Sequence, residues 1–372
     1  MSKQNLSQAE PFFNPHVEAL PKYNAGLTLA SARAASGLER IARLASNENP
    51  YGCSPAVQQA LADGAVELWR YSDPSCELLR AALGKRLDVE LGNIVVGNGS
   101  EEMIAAASRA FLTAGGIALT VAPCFGLHEI EPLAVGASVT KIPMTAELDF
   151  DVTGLEAALA QAPNILFLPS PWNPVGAALD RDGLARLIEA APATTLFVLD
   201  EAYREFVSDA IPDGLEMLRR TQRPYIVLRT FSKAFGLAGL RVGYAVCSSP
   251  RIAKMLAAAK TPFNVNAMAQ AAAVAALGDE AWMNAAVNRL TVERDRVSKA
   301  LRNLGLRVAR SEGNFLFFDA ARDSAQLATA LLKAGVVVKP WLEPGYRTFI
   351  RVSTGTVAEN DQFLDALRAI VR

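Results

Sequence analysis

Between Arg229 and Tyr244 the chain reads Arg-Thr-Phe-Ser-Lys-Ala-Phe-Gly-Leu-Ala-Gly-Leu-Arg-Val-Gly-Tyr. Lys233 is the only lysine in this stretch, and Arg241 follows it eight positions later. A lysine set among apolar residues loses hydration, its amine pKa falls, and the free amine becomes a nucleophile toward a carbonyl. Thr230 and Ser232 can donate hydrogen bonds, and Arg241 can hold an oxyanion in a bidentate fork. Gly236, Gly239 and Gly243 let backbone pass where a side chain would block it. An activated amine beside hydroxyls and a guanidinium suits an aldehyde that carries a phosphate. The plain alternative is a solvated surface lysine in a glycine-containing loop.

Such groups need a frame. The stretch follows a buried-strand pattern at 225–228 and runs into a second apolar run at Tyr244-Ala-Val. Further apolar runs at 164–169 and 194–199 alternate with helical patterns such as 180–190. Near-continuous apolar strands predict an α/β fold with a mostly parallel sheet sandwiched by helices. Ligands gather at the carboxyl ends of such strands. Asn173, Asp200 and the Lys233 loop all lie just past strand ends. Asp200 reads either as a helix N-cap or as the carboxylate that pairs with a protonated ring nitrogen.

Three more segments carry chemistry. Residues 93–102 form a strand, a glycine turn and a helix start, a geometry that aims backbone N–H groups at an anion. A dinucleotide fingerprint would need a third glycine where Glu102 stands. The run 117–123 leads to Phe125, whose ring offers a stacking face. His128, just beyond, reads as a surface or core helix residue rather than a base. Shorter strands at 313–318, 336–339 and 348–353 suggest a smaller α+β domain. Arg351 on the last of them, flanked by apolar residues, requires a partner.

The string from Ser232 to Gly243 closely resembles the lysine signature of class I/II aminotransferases of fold type I, most nearly that of the histidinol-phosphate aminotransferase branch. The likeness extends over nearly the whole chain and is strongest at 97–101, 171–176, 200–206 and 230–243. It implies pyridoxal 5'-phosphate as cofactor, with Lys233 and Asp200 as the catalytic pair. Ser100 and Glu101 would lend backbone amides to the cofactor phosphate, alongside Thr230, Ser232 and Arg241. Asn173 would meet the cofactor's phenolic oxygen, Phe125 its ring, and Tyr203 would join the cofactor contacts. Tyr71 would reach the phosphate of the neighbouring subunit, which implies a homodimer with a shared site. Tyr23, Asn47 and Arg351 would bind the substrate. The implied partners are an amino donor and a 2-oxo acid, histidinol phosphate and 2-oxoglutarate first. An aromatic or other amino-acid aminotransferase is the alternative, and a decarboxylase of the threonine-phosphate type a further one. Three positions depart from the branch: Phe125 where tyrosine is common, Trp172 where many relatives carry asparagine, and Lys339 where arginine is common.

Composition agrees with a globular enzyme. The 372 residues are 51% hydrophobic and 20% charged, with a formal net charge of −1. That length predicts a large domain and a smaller one; the order of patterns and the resemblance put an N-terminal arm that joins the small domain at 1–45, the large domain at 46–265 and the small domain at 266–372. No basic excess points to nucleic acid or an anionic membrane. Four scattered cysteines without a C-x-x-C and only two histidines argue against a disulfide framework or a metal site. No apolar leader-like run opens the sequence, and Ala267–Leu277 is too short to span a bilayer, so the cytoplasm is the expected compartment.

Overall fold

The computed structural model describes residues 13–63 and 69–371. Its centre is a seven-stranded sheet with the spatial order Ile94–Gly97, Gly243–Cys247, Tyr225–Thr230, Leu196–Asp200, Ile165–Pro169, Ile117–Ala122 and Ser138–Pro143. All strands run parallel except Gly243–Cys247, which is antiparallel to both of its neighbours. The reason lies in the connection. A parallel return needs a long crossover, usually a helix, whereas residues 231–242 hold only the short turn Ala238–Leu240. The chain therefore doubles back, and Thr230 pairs with Gly243 at the two ends of the lysine loop.

The apolar runs are divided between the two faces by strand alternation. Ile94, Val96, Leu166, Leu168, Phe197, Leu199 and Val227 enter one core cluster, while Val95, Ile165, Phe167, Val198, Ile226 and Leu228 enter another. Burying both faces is what makes these strands continuously hydrophobic in sequence. Trp172, where the branch often has asparagine, is fully buried in the first cluster. It donates Nε1–H to the Pro123 carbonyl at 2.8 Å and packs on Phe150.

A third cluster lies under a four-stranded antiparallel sheet with the order Lys339–Pro340, Phe349–Ser353, Phe315–Asp319 and Arg307–Val308. The predicted strand at 336–339 is split between two sheets: Val336–Val337 pairs in parallel with Ala42–Arg43, and Lys339 pairs with Arg351. The helical stretch 265–303 is two helices, Ala267–Leu277 and Glu280–Asn303, with the break at Gly278-Asp279. Asp279 caps the second through Trp282 N. The first packs on helices Pro55–Ala62 and Glu77–Leu87. The N-terminal segment contributes two short helices, Pro15–Glu18 and Leu29–Ser36.

Candidate active site

The carboxyl ends of the parallel strands converge, and the predicted groups stand there. Lys233 sits in the loop after Tyr225–Thr230. Its Nζ donates to the Ser46 carbonyl at 3.1 Å and lies 5.7 Å from the centre of the Tyr203 ring. Burial first, and the nearby Arg351 guanidinium after it, lower its amine pKa to about 8 against the opposing charge of Glu48. Arg241 and Asp200 also lie within electrostatic reach. An amine so placed carries an appreciable free-base fraction near neutrality.

Two of the three glycines act as expected. A Cβ at Gly236 would lie 1.8 Å from the Gly52 carbonyl oxygen, and one at Gly243 would lie 2.5 Å from Ser100 N. The first contact presses the lysine loop against the 49–53 segment; the second presses it against the start of helix Gly99–Phe111. Gly239 does not fit the expectation, because a Cβ there would meet nothing within 4 Å.

The candidate phosphate end is built from that helix start and the loop. The helix N-cap is Asn98, not Ser100, and no side chain caps it. The first-turn amides, those of Ser100 and Glu101 among them, therefore face the loop without an internal acceptor. Arg241 holds a left-handed backbone conformation, φ 58°. Its guanidinium lies against Gly99 and donates to the Glu101 carboxylate at 3.1 Å and to the Ala238 carbonyl at 3.2 Å. Thr230 and Ser232 are buried, with their hydroxyl oxygens 3.0 Å apart. These hydroxyls, amides and guanidinium are the donor set a phosphate requires.

Asp200 ends its strand buried. Its Oδ1 accepts from Ala202 N at 3.0 Å, the local cap-like bond foreseen for it, and its Oδ2 lies 3.2 Å from His128 Nε2. His128 is a core residue, fully buried and stacked on Phe167. A proton on Nε2 lets it donate to the carboxylate and fix the direction in which Asp200 points. Sequence reasoning did not assign this contact. Phe125 meets His128 edge-on at 5.6 Å and Tyr23 edge-on at 6.3 Å.

The substrate end is arranged around Arg351. Its Nη1 donates to Asn173 Oδ1 at 2.7 Å and its Nη2 to the Ala45 carbonyl. Nε is buried without a partner, and no carboxylate pairs with Arg351 among the described residues. Burial pulls its pKa below the ordinary guanidinium value. Asn47, also left-handed at φ 53°, donates to Tyr203 Oη at 2.9 Å and accepts from Ser353 Oγ at 2.8 Å. Burial pushes the Tyr203 phenol up to about 12. Burial, and then the Glu101 charge, raise the Tyr23 pKa against the smaller pull of Arg351 and Arg241, whose charges place Tyr23 at the same mouth. Lys339, opposite Arg351 in the sheet, donates to the Asn24 carbonyl, and burial beside Arg351 lowers its pKa to about 8.

Tyr71 alone among the predicted residues stands apart. Its ring packs on Phe263 at 4.8 Å, and 85% of it is exposed. A buried scaffold missed in the sequence lies behind the site, where Arg229 forms a fork with Glu201 at 2.9 and 2.7 Å and a further bond to Asp213 at 2.9 Å.

The family model for aminotransferase class I and II matches residues 39–367. The chain belongs to this family. This aminotransferase is 42% identical to histidinol-phosphate aminotransferase 3 of Rhizobium meliloti (strain 1021), over 95% of its own length and 96% of the relative's. It is 40% identical to histidinol-phosphate aminotransferase 1 of Mesorhizobium japonicum, over 98% and 100%. Its fold matches the crystal structure of histidinol-phosphate aminotransferase from Sinorhizobium meliloti in complex with pyridoxal-5'-phosphate, with a TM-score of 0.88 at 29% identity and coverage of 98% and 99%. A Thermus thermophilus aspartate aminotransferase double mutant, 22% identical with a TM-score of 0.83, covers 98% of this chain and 100% of its own and shares the fold. The expectation of a mostly parallel α/β sheet of the fold type I class is borne out. No helix among the described residues is long and apolar enough to cross a membrane, and none of them form a cluster able to hold a metal ion.

Proposed function

We propose that this aminotransferase carries out pyridoxal-phosphate-dependent transfer of an amino group from histidinol phosphate to 2-oxoglutarate. The observation that carries the reading is Lys233, an amine with its pKa lowered to about 8, set among Asp200, Arg241 and Arg351. The residues fit the cofactor: a donor-rich cradle at Ser100, Glu101, Thr230, Ser232 and Arg241, an aromatic face at Phe125, and a buried carboxylate at Asp200. Bound there, pyridoxal phosphate supplies an electron sink for the donor's Cα.

The protein's own groups do the rest. The Lys233 amine would hold the cofactor through its aldehyde and, when free, would serve as the base that carries the proton of the donor's Cα. Asp200, oriented by His128, would favour a protonated ring nitrogen. Asn173 would meet the cofactor's phenolic oxygen, and Tyr203 would join the cofactor contacts. Arg351 receives an anionic group of the substrate, while Tyr23 and Asn47 flank it. We assign a homodimer with a shared site, supported by the exposed large apolar residues Trp69, Tyr71, Leu78 and Phe263, of which Tyr71 and Phe263 stack on one another at the surface. The reducing cytoplasm is the proposed compartment, supported by four free cysteines.

The test is Lys233→Ala. The variant should show no visible absorbance from covalently bound pyridoxal phosphate and negligible transamination, and full activity would refute the reading. Wild-type protein offered histidinol phosphate, phenylalanine and threonine phosphate in turn identifies the donor. Carbon dioxide release would instead mark a decarboxylase.

A further inference from the structure

The loop joining strand Lys339–Pro340 to strand Phe349–Ser353 is docked on the segment that precedes Phe125. Glu343 Oε2 accepts from Cys124 N at 3.2 Å and from Trp341 Nε1 at 3.2 Å, and Glu343 Oε1 accepts from Lys141 Nζ at 2.7 Å. Lys141 is shared with Glu129, at 2.9 Å, on the helix that begins just after Phe125. From the same loop Tyr346 donates its hydroxyl to the Ala122 carbonyl at 2.9 Å. Neither Glu343 nor Tyr346 enters the transamination chemistry. Both lie more than 200 positions from their backbone partners.

The arrangement has a mechanical consequence. The hairpin's two strands carry Lys339 and Arg351 side by side. Its tip grips Ala122 and Cys124, the latter adjacent in the chain to Phe125. Burial would lower the Lys141 pKa, but its hydrogen bonds to Glu343 and Glu129 outweigh burial and hold the ammonium above its usual range. Lys141 therefore stays charged throughout the working pH range. Partly buried charge-assisted bonds of this length are stronger than neutral ones, so the tip is fastened rather than merely resting.

We propose that Glu343 is a positioning residue that locks the acid-binding hairpin to the ring-stacking segment, so that Arg351, Lys339 and Phe125 keep one mutual geometry during transamination. The proposal rests on the roles given above to Arg351 and Phe125. Without the lock, the guanidinium and the stacking ring would shift independently, and the donor would be held less well by a site whose chemical groups are intact. Small displacements of this kind weaken binding and orientation.

The experiment compares wild-type holoenzyme with Glu343→Ala and Glu343→Gln. Amide hydrogen exchange is read at Cys124 and over residues 342–347, with steady-state kinetics on histidinol phosphate and 2-oxoglutarate. Loss of a bond to a charged acceptor should speed exchange at Cys124 by about tenfold in Glu343→Ala. KM for the donor should rise by a similar factor while kcat changes by less than about threefold. Glu343→Gln, which keeps an acceptor for Cys124 N, should recover part of both. Lys141→Met, a second route to the same lock, should reproduce the KM change if the alanine variant folds poorly. A lowered melting temperature with unchanged Cys124 exchange and unchanged KM would overturn the proposal. Cofactor-binding wild-type protein that fails to transaminate any donor would overturn the functional reading first, and the kinetic role of Glu343 with it.

Discussion

Two buried arginines on neighbouring parts of this molecule have opposite surroundings. Arg229 is held by Glu201 on one side and Asp213 on the other. Burial alone would lower its pKa, but the charge of Glu201 leads the effects that raise it well above the usual value. Arg351 is equally buried yet meets only neutral acceptors, the Asn173 amide and the Ala45 carbonyl. Its pKa is shifted downward. A buried cation without a counter-charge is costly to maintain. The first arginine holds two strands and a loop together; the second is arranged to receive an anion. Asp200 lies between these cases, a buried carboxylate whose nearest side-chain partner is the His128 ring.

Breaking each group should separate the two kinds. Arg229→Met leaves the buried Glu201 without its counter-charge and Asp213 with only Arg204, 3.5 Å away, and should cost about 3–5 kcal/mol of folding stability, read as a lowered denaturant midpoint. Arg351→Met should leave the midpoint unchanged or higher, because it removes an unpaired charge. Its kcat/KM with histidinol phosphate should nevertheless fall by about two to three orders of magnitude. Equal losses of stability in the two variants would erase the distinction.

Lys233 sharpens the same point through pH. Its folded pKa of about 8 lies below the ordinary 10.5. Between those values the unfolded chain binds a proton that the folded chain does not, so stability contributed by this group rises with pH across that window. Cofactor-free Lys233→Met should therefore be more stable than cofactor-free wild type at pH 7, by on the order of 2 kcal/mol after allowance for partial exposure. The gap should close above about pH 10.5. A smaller effect belongs to His128→Asn, which leaves Asp200 in place but less well directed. It should lower kcat about tenfold without changing the melting temperature by more than a few degrees.

What the sequence made readable follows the same division. Lys233, Thr230, Ser232 and Arg241 occupy one contiguous stretch, and Asp200 and Asn173 mark strand ends, so local pattern locates them. Alternation along 165–169 and 196–200 is hidden in sequence because both faces are buried, but the continuous apolar runs still identify a covered parallel sheet. Long-range pairings leave no such trace. His128 and Asp200 are 72 positions apart, and Glu201 and Arg229 are 28 apart. One faint signal is proximity in sequence, since His128 follows Phe125 by three residues and the two rings meet. Gly239 shows the opposite failure, a motif residue whose type is not demanded by any close contact within this chain. Trp172, where many relatives carry asparagine, turns its ring into the core, where Nε1–H meets the Pro123 carbonyl.

The central claim is that the Lys233 amine captures the cofactor's aldehyde. Borohydride reduction of the protein loaded with pyridoxal phosphate, followed by peptide mass spectrometry, tests it directly. The account predicts a stable phosphopyridoxyl group on Lys233 and on no other lysine. A label on another residue, or active protein that carries none, would contradict it.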